Sequence, residues 1–296
     1  MNHFEIYSPV QQIVNSLYEE KQVKVFIKRD DLIHPYISGN KWRKLKYIIQ
    51  KAKSENRDHL ITFGGAYSNH LLATACAGAK FNFKTTGIVR GEEVNNPTLL
   101  LCRLFGMNLK FIDRESFKNK QSYYLTHYSD NPNAYFIDEG GASHEAAKGC
   151  SELITELKGT YDHIFCACGT GSTAAGILNG IHENFVNTKL HAISVFKNGA
   201  FIKDEILKYA QSDKNLILHL DYHFGGYAKT NDELIKFIKT ISSSTGILLD
   251  PVYTGKMLYA VNDLVLKDYF APGSNILAIH TGGLLGILGM SEKFFK

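Results

Sequence analysis

The sequence contains little proline, little cysteine and no long apolar run, and each shortage argues against a class of protein. Six prolines among 296 residues provide no Pro-rich linker that would mark a domain boundary. Five cysteines, an odd number in a chain without a signal-peptide pattern, favour reduced thiols over a disulfide framework. No apolar run approaches the ~20 residues that a membrane span requires. We therefore expect a cytoplasmic protein that does not insert into membranes.

Charge of one sign is not concentrated anywhere in the chain. The formal net charge is only +4, and the lysines are interleaved with acidic residues instead of forming a basic arm. Nucleic acid is therefore not expected as a partner. The pair Cys166 and Cys168 has no second Cys or His pair at ligand spacing, so we interpret it as two buried thiols and predict no metal site.

Short apolar segments alternate with longer amphipathic ones along most of the chain. This order predicts an α/β fold with parallel sheets. A strand that runs into a polar loop is predicted at 25–31. Further strands are predicted at 60–63, 86–89, 109–112, 163–167, 191–196, 216–220 and 275–280, with helices between most of them.

Residues 38–45 are the first candidate for chemistry. Apolar residues recur at helical spacing from Trp42 onward, so Lys41 falls at the start of a helix that Ser38 or Asn40 can cap. The positive end of the helix dipole disfavours an ammonium and favours a nucleophilic amine, as Schiff-base chemistry requires. The alternative is a solvated basic helix, because three more cationic residues follow within five positions.

Residues 61–70 read as a strand, a glycine turn and a helix start. Ser68 and Asn69 lie at that start, where free backbone N–H groups favour an anion such as a substrate carboxylate. The alternative is that Ser68 simply caps the helix. His70 alone is a weaker signal.

Residues 168–176 form a second strand-to-helix turn, with Gly169 and Gly171 before Ser172 and Thr173. Glycines permit close backbone approach, and a helix start with two hydroxyls can hold a phosphate dianion. The glycines also fit a loose dinucleotide pattern. However, the next strand ends at Phe196 without an acidic residue for a ribose hydroxyl, which disfavours NAD. A glycine-rich turn without any ligand is the remaining alternative.

Two polar turns lie near the C-terminus. The sequence Leu-Asp-Pro-Val-Tyr-Thr-Gly-Lys ends at residue 256, and Ile-His-Thr-Gly-Gly ends at residue 283. Both place polar side chains at the ends of elements, where α/β active sites form. Alone, Tyr253 is more often a packed aromatic residue.

Together these five motifs, in this order, resemble the aminocyclopropane-carboxylate deaminase and D-cysteine desulfhydrase family of pyridoxal-phosphate (PLP) enzymes. The resemblance covers about residues 8–283. It implies a tryptophan-synthase-β-like fold (PLP fold type II) of two α/β lobes with PLP between them, usually as a homodimer. The larger lobe would comprise residues 1–49 and 156–296, and the smaller lobe residues 50–155.

The resemblance also implies roles for individual residues. Lys41 would be the Schiff-base lysine, and Asn69 would contact the phenolic oxygen of PLP. Ser68 and His70 would join Asn69 at the substrate carboxylate, with Ser68 also catalytic. The phosphate would be held by Gly169, Thr170, Gly171, Ser172 and Thr173. Tyr253 would be catalytic, with Thr254 and Thr281 beside the cofactor.

Four positions depart from the pattern of this family. Tyr67 replaces a frequent Gln and Leu72 a common Arg, so the substrate pocket is expected to differ. A Tyr-Gly pattern near residue 226 is changed, so the second active-site tyrosine is either shifted to Tyr227 or missing. Thr254 replaces the glutamate that faces the pyridine nitrogen in members that open a cyclopropane ring.

The loss of that glutamate favours one substrate. A hydroxyl stabilises a pyridinium less than a carboxylate does, and ring opening without a Cα hydrogen needs a strong electron sink. The prediction is therefore a D-cysteine desulfhydrase-like β-elimination that gives pyruvate, sulfide and ammonia from a small amino acid. The alternatives are another D-amino acid, the deaminase that gives 2-oxobutanoate and ammonia, an NAD(P)-binding oxidoreductase, and a non-catalytic binding protein.

Overall fold

A computed structural model describes residues 6–185 and 187–295 as an α/β fold built on two sheets. The strands are β1 (Val10–Ile13), β2 (Lys24–Lys28), β3 (His59–Gly65), β4 (Lys84–Arg90), β5 (Asn108–Ile112), β6 (Ala134–Ile137), β7 (His163–Cys168), β8 (Lys189–Ser194), β9 (Leu216–His219) and β10 (Asn275–Ile279). The helices are α1 (Ser16–Glu20), α2 (Asn40–Ser54), α3 (Asn69–Phe81), α4 (Pro97–Leu104), α5 (Arg114–Lys118), α6 (Lys120–Tyr128), α7 (His144–Thr155), α8 (Ser172–Asn184), α9 (Ile202–Leu207), α10 (Asp232–Thr245) and α11 (Thr254–Leu266). Short 3₁₀ segments lie at Asp30–Leu32, Glu139–Gly141, Gly199–Phe201 and Leu284–Lys293.

The sheets confirm the predicted fold class. The larger sheet has the order β1-β2-β10-β7-β8-β9, and the smaller has the order β5-β4-β3-β6. All neighbouring strands are parallel except β1 and β2. Helices link the parallel strands, as crossovers between parallel strands require. The carboxyl ends of the strands therefore collect at one edge of each sheet.

Two strands were missed by the sequence prediction. β1 pairs antiparallel with β2 at the border of the larger sheet, and β6 pairs with β3 at the border of the smaller one. Each has four residues, and the sequence of β1, Val-Gln-Gln-Ile, has two polar residues at its centre. Such short border strands owe their conformation to the neighbouring strand, which a local apolar pattern does not reveal.

The two sheets come from different parts of the chain. Residues 10–28 and 163–279 supply the larger sheet, whereas residues 59–137 supply the smaller one. The lobe boundaries at 49/50 and 155/156 stay a prediction.

Helix α2 is fixed by its apolar face. Trp42, Leu45 and Ile49 are buried in the core that packs against the smaller sheet, and the ring of Trp42 stacks on Phe81 with centroids 5.5 Å apart. Full burial of each such side chain contributes about 1.5 to 3 kcal/mol. This packing sets the orientation of the helix start, where Lys41 lies.

The cysteine prediction is also confirmed. All five cysteines are unpaired and buried, and Cys166 and Cys168 lie in the central part of the larger sheet on β7. Within the described residues, no helix is both long and apolar enough to cross a lipid bilayer.

Candidate active site

A cavity of about 440 Å³ lies where the carboxyl ends of several strands meet the starts of four helices. The four helices are α2, α3, α8 and α11, and each begins at one of the motifs found in the sequence. The cavity is lined by these predicted site residues: Lys41, Ser68, Asn69, His70, Gly169, Thr170, Gly171, Thr173, Tyr227, Tyr253 and Thr281. The other two, Ser172 and Thr254, are fully buried, and each directly follows a lining residue in the sequence. Motifs more than 200 residues apart therefore converge on one site.

The start of α2 is pressed against the end of β10. Gly39 has φ of +59°, and a Cβ there would lie only 1.9 Å from the carbonyl oxygen of Thr281. The backbone N–H of Asn40 donates to that same oxygen over 3.3 Å. Its side-chain amide donates to Oγ1 of Thr173 over 2.9 Å, which ties α2 to the start of α8. Lys41 is the next residue after Asn40, so its backbone is fixed by the contacts that Asn40 makes to Thr281 and Thr173.

The predicted capping of α2 was wrong. Its N-cap is Gly39, which has no side chain to accept a hydrogen bond. Ser38 instead accepts from the N–H of Gly283 over 3.4 Å, and Asn40 is the first helical residue. The need for close contact with the chain at Thr281 outweighs the gain from a side-chain cap.

The alternative of a solvated basic helix does not describe α2. Arg43 is buried and donates to both carboxylate oxygens of Asp30 over 2.6 and 2.7 Å, and it pairs with Glu156. Lys44 is buried as well, and its Nζ donates to the carbonyl of Gly140 over 3.0 Å. The cationic residues next to Lys41 therefore face the interior.

Lys41 has the electrostatic environment of a nucleophilic amine. Burial, and next the charge of Lys44, hold the pKa of Lys41 well below the ordinary lysine value. No hydrogen bond or ion pair from the described residues engages its Nζ. An amine in a cavity wall with a lowered pKa and no partner among the described residues can form a covalent bond to an aldehyde.

Ser68 caps α3, as the alternative interpretation of this motif expected, and its role at a substrate carboxylate stays a prediction. Its Oγ accepts from the N–H groups of His70 and Leu71 over 3.2 and 3.3 Å. The hydroxyl proton of Ser68 remains available to an acceptor in the cavity. This helix start can therefore offer donors to a carboxylate.

His70 lies deeper than Ser68. Its Nε2 is 2.8 Å from Oγ1 of Thr62, and that hydroxyl donates to the carbonyl of Ile137. Nε2 must therefore carry the proton, which leaves Nδ1 a bare, buried nitrogen that has no partner among the described residues. Burial, followed by the charges of Lys41 and Lys44, lowers the pKa of His70 well below its ordinary value. The ring is neutral, and its role in substrate binding stays a prediction.

The glycine-rich turn before α8 has the features of a phosphate site. Gly171 has φ of +78°, and a Cβ there would lie 2.8 Å from the backbone of Glu205. The first turn of a helix leaves backbone N–H groups free. In addition, the Oγ of Ser172 is buried with no partner in the described ranges. A dianion with several acceptor oxygens would satisfy these donors, so the residues fit the phosphate of PLP.

The start of α11 is organised by Asp250. One of its carboxylate oxygens accepts from the N–H groups of Val252 and Tyr253, and the other from the N–H and the hydroxyl of Thr254 over 2.9 and 2.8 Å. Thr254 therefore faces Asp250 instead of lining the cavity. Burial raises the pKa of Asp250, against the effect of these four hydrogen bonds.

Two tyrosines meet at the cavity. The hydroxyls of Tyr253 and Tyr227 are 3.4 Å apart. Burial, and next the proximity of Tyr227, raise the pKa of Tyr253 well above 10. Tyr253 is thus protonated at neutral pH, and Tyr227 lines the same cavity. Whether Tyr227 is the second active-site tyrosine stays a prediction.

Some lining residues were not predicted. Lys44 lies three positions after Lys41, so it shares the helix face, and that spacing was a usable signal. Arg90, at the end of β4, and the segment Leu284–Lys293 also line the cavity. Nothing in their local sequence indicates this, because only the fold brings them to the site.

Comparison with known proteins identifies the family of this chain. The family described as pyridoxal-phosphate dependent enzyme matches residues 5–282. A mitochondrial protein of Arabidopsis thaliana, a bifunctional D-cysteine desulfhydrase and 1-aminocyclopropane-1-carboxylate (ACC) deaminase, is 34% identical over 89% of this chain and 73% of its own length. A D-cysteine desulfhydrase of Salmonella newport is 29% identical over 88% of this chain and 87% of its own.

A solved structure agrees with these relatives. The crystal structure of an ACC deaminase homologue superposes with a TM-score of 0.85 at 30% identity, covering 97% of this chain and 93% of the other. The family model, the relatives and the solved structure agree on one family, while the roles of the individual site residues stay predictions. The chain therefore belongs to the PLP-dependent enzymes, in the group of ACC deaminases and D-cysteine desulfhydrases.

Proposed function

We propose that this enzyme is a D-cysteine desulfhydrase, which converts D-cysteine and water to pyruvate, hydrogen sulfide and ammonia. The observation that carries this choice is the arrangement of Asp250 and Thr254. The relatives support both this reaction and ACC deamination, so the choice depends on residues of this chain.

The cavity residues have separable tasks in this proposal. Lys41 would hold the cofactor through its Nζ, and Ser172 with the first turn of α8 would hold the phosphate. Asn69 would contact the phenolic oxygen, while Ser68 and the start of α3 would bind the substrate carboxylate. When bound, PLP supplies an electron sink that acidifies the Cα proton of an amino acid.

Proton transfers would be made by two side chains. Lys41, as a free amine with a lowered pKa, would take the Cα proton. Tyr253 stays protonated because burial raises its pKa, so it can donate a proton to the departing sulfur. Elimination breaks the Cβ–S bond after the Cα–H bond, and hydrosulfide is a good leaving group. Water then replaces the nitrogen to give pyruvate and ammonia.

Among the residues that the structure describes, the wall behind Tyr253 offers no free carboxylate for a protonated pyridine nitrogen. Asp250 is the acidic residue there, and both of its oxygens are occupied by donors from residues 252–254. Glu139, the other acidic residue that lines the cavity, has a carboxylate oxygen 3.5 Å from Nζ of Lys120. Breaking a carbon–carbon bond in a substrate without a Cα hydrogen requires a stronger electron sink than this wall supports.

Substrate comparison tests the proposal. The holoenzyme is assayed for pyruvate from D-cysteine, L-cysteine and D-serine, and for 2-oxobutanoate from ACC. We expect the highest kcat/KM for D-cysteine. A higher kcat/KM for ACC would overturn the choice and leave the family assignment intact.

We also propose that the enzyme is a cytoplasmic homodimer. The family resemblance supports the dimer, and five unpaired cysteines agree with a reducing compartment. Light scattering of the holoenzyme would test the dimer, and a mass near the 33.2 kDa of one chain would contradict it.

A further inference from the structure

The turn that carries Tyr227 has an unfavourable backbone conformation. Four of the five residues 224–228 have positive φ: Phe224 at 50°, Gly225 at 92°, Gly226 at 121° and Ala228 at 54°. Phe224 and Ala228 have a Cβ, which makes this region of conformational space costly for them. Such a conformation persists only where the surroundings impose it.

Lys256 holds the turn in this conformation. This lysine is fully buried on α11, and its Nζ donates to the carbonyls of His223 and Gly226, each over 2.8 Å. The two carbonyls bracket three of the four residues with positive φ, namely Phe224, Gly225 and Gly226. An ammonium has three donors and no acceptor, so it can satisfy two converging carbonyls that no apolar side chain could.

Tyr227 is the residue after Gly226, whose carbonyl is the second one that Lys256 binds. Its ring stacks on Phe196 with centroids 5.5 Å apart, and its hydroxyl is 3.4 Å from that of Tyr253. The same helix carries Lys256 and begins immediately after Tyr253. The lysine thus links the two tyrosines of the cavity through one rigid element.

Packing alone does not account for a lysine at this position. Burying an ammonium carries a large desolvation cost unless hydrogen bonds and opposite charge compensate it. Burial lowers the pKa of Lys256 to about 8, and the charge of Asp250 opposes that effect. The ammonium therefore predominates at neutral pH. A methionine would fill similar volume without this cost.

We propose that Lys256 is a positioning residue that holds the strained turn 223–227 and so sets the hydroxyl of Tyr227 against that of Tyr253. The kinetic consequence rests on the proposed function, because it requires that Tyr227 acts on the bound amino acid. The structural consequence, an ordered turn, does not depend on any activity.

A double-mutant cycle tests the kinetic part with the holoenzyme. Lys256→Met, Tyr227→Phe and the double variant are compared with the wild type on D-cysteine, with Lys236→Met on the exposed face of α10 as the matched control. We expect Lys256→Met to lower kcat by about tenfold with Tyr227 present, but by less than about twofold when residue 227 is Phe. Lys236→Met should leave kcat unchanged. Equal losses in both backgrounds would overturn the positioning role, since a general structural defect would not depend on the Tyr227 hydroxyl.

Hydrogen exchange tests the structural part. In Lys256→Met, the amides of residues 222–229 should exchange at least about tenfold faster, while those of residues 38–45 keep their wild-type rates. Unchanged exchange in the turn would contradict the proposal that Lys256 holds it. If Lys256→Met does not fold, Lys256→Gln, which keeps two N–H donors on a shorter side chain, replaces it with the same expected direction. If the wild type turns over no amino acid, the proposed function fails, and hydrogen exchange alone tests whether Lys256 holds the turn.

Discussion

The start of α2 and the Tyr227 turn both present a functional side chain to one cavity, but they are built in different ways. The α2 start is held by backbone contacts that leave no room: Gly39 lies against Thr281, and Asn40 bonds to both Thr281 and Thr173. The Tyr227 turn has an unfavourable backbone, and the charge of one lysine side chain bridges two of its carbonyls.

This difference matches what each side chain would have to do. A group that forms a covalent bond to a cofactor needs a fixed position, because small displacements of reacting atoms are costly. Tyr227 is 45% exposed, although it also lines the cavity. A turn held by a few polar contacts can open at a lower cost than a packed helix start.

The largest effect should follow from removing the fixed amine. Lys41→Ala is expected to lower kcat by about 10⁴-fold or more, since it removes the nucleophile and the base together. Borohydride reduction and peptide mass spectrometry should place a pyridoxyl group on Lys41 in the wild type and on no lysine in the variant. Lys46→Ala, on the same helix and paired with Glu152, is the control and should keep activity. An adduct on Lys44 or Lys256 would contradict the assignment.

The close contact at the α2 start can be broken with a single methyl group. Gly39→Ala should lower the free energy of unfolding by about 3 kcal/mol or more, because the Cβ overlaps the Thr281 carbonyl and φ is positive. Gly106→Ala has φ of +80° but nothing within 4 Å of the new Cβ, so about 1 kcal/mol is expected from the backbone alone. Urea denaturation of both variants separates the clash from the conformational cost. Equal losses would mean that the contact at Thr281 is not tight.

A smaller effect is expected from a substitution in the glycine-rich turn before α8. Ser172→Ala removes a buried hydroxyl that has no protein partner in the described ranges. The apoenzyme should be as stable as the wild type or slightly more stable, while the Kd for PLP rises about tenfold through loss of one hydrogen bond. Titration of the two apoenzymes with PLP measures this. An unchanged Kd would place the phosphate elsewhere.

The smallest effect is a change with pH in the hydrogen exchange of the Tyr227 turn, which should distinguish this turn from the start of α2. Lys256 has a folded pKa of about 8, below its unfolded value, so the unfolded chain binds this proton more tightly between pH 8 and about 10.4. Raising pH through this window should therefore increase the contribution of Lys256 to the unfolding free energy, by up to about 1.4 kcal/mol per pH unit. The neutral amine nevertheless binds the two carbonyls more weakly.

Amide hydrogen exchange in residues 222–229, corrected for intrinsic rates, should therefore rise about threefold between pH 7.5 and 9.5, because the charge-assisted hydrogen bonds of Lys256 weaken. The amides of residues 38–45 should not respond, and Lys256→Met should abolish the difference. Asp250 and the ring of His223, which accepts from the N–H of Gly225, also face this region. Because these groups are the same in wild type and Lys256→Met, comparison of the two proteins between pH 7.5 and 9.5 isolates the lysine. A response in both regions would remove the contrast between them.

The elements that sequence could predict are those whose pattern is local. Apolar periodicity located β3, β7 and β10, and the polar motifs at their ends located many of the lining residues, because carboxyl ends of parallel strands collect at one edge. The position of Lys41 could be predicted from an equally local pattern. Its position at a helix start is a local property that the structure retains.

The remaining features depend on contacts between distant segments. Whether Ser38 or Gly39 caps α2 is decided by residues 281–283, and whether Lys44 is solvated is decided by Gly140. The orientation of Thr254 depends on Asp250, which is near in sequence but turns back through four hydrogen bonds. Lys256 had no local pattern that indicated burial, because its carbonyl partners lie about 30 residues earlier.

The contact between Gly39 and Thr281 also has a consequence for the order in which this enzyme can mature. Strand β2, which precedes α2, pairs with β10, and β10 is the last strand in the sequence. During synthesis on a ribosome, Lys41 emerges early but cannot be seated until residues 275–283 have been made and have left the exit tunnel. The smaller sheet, formed by residues 59–137, can complete its strand pairing long before that point. The nascent chain therefore has no complete site for the cofactor until residues 275–283 have left the tunnel, so PLP capture should follow the pairing of β2 with β10.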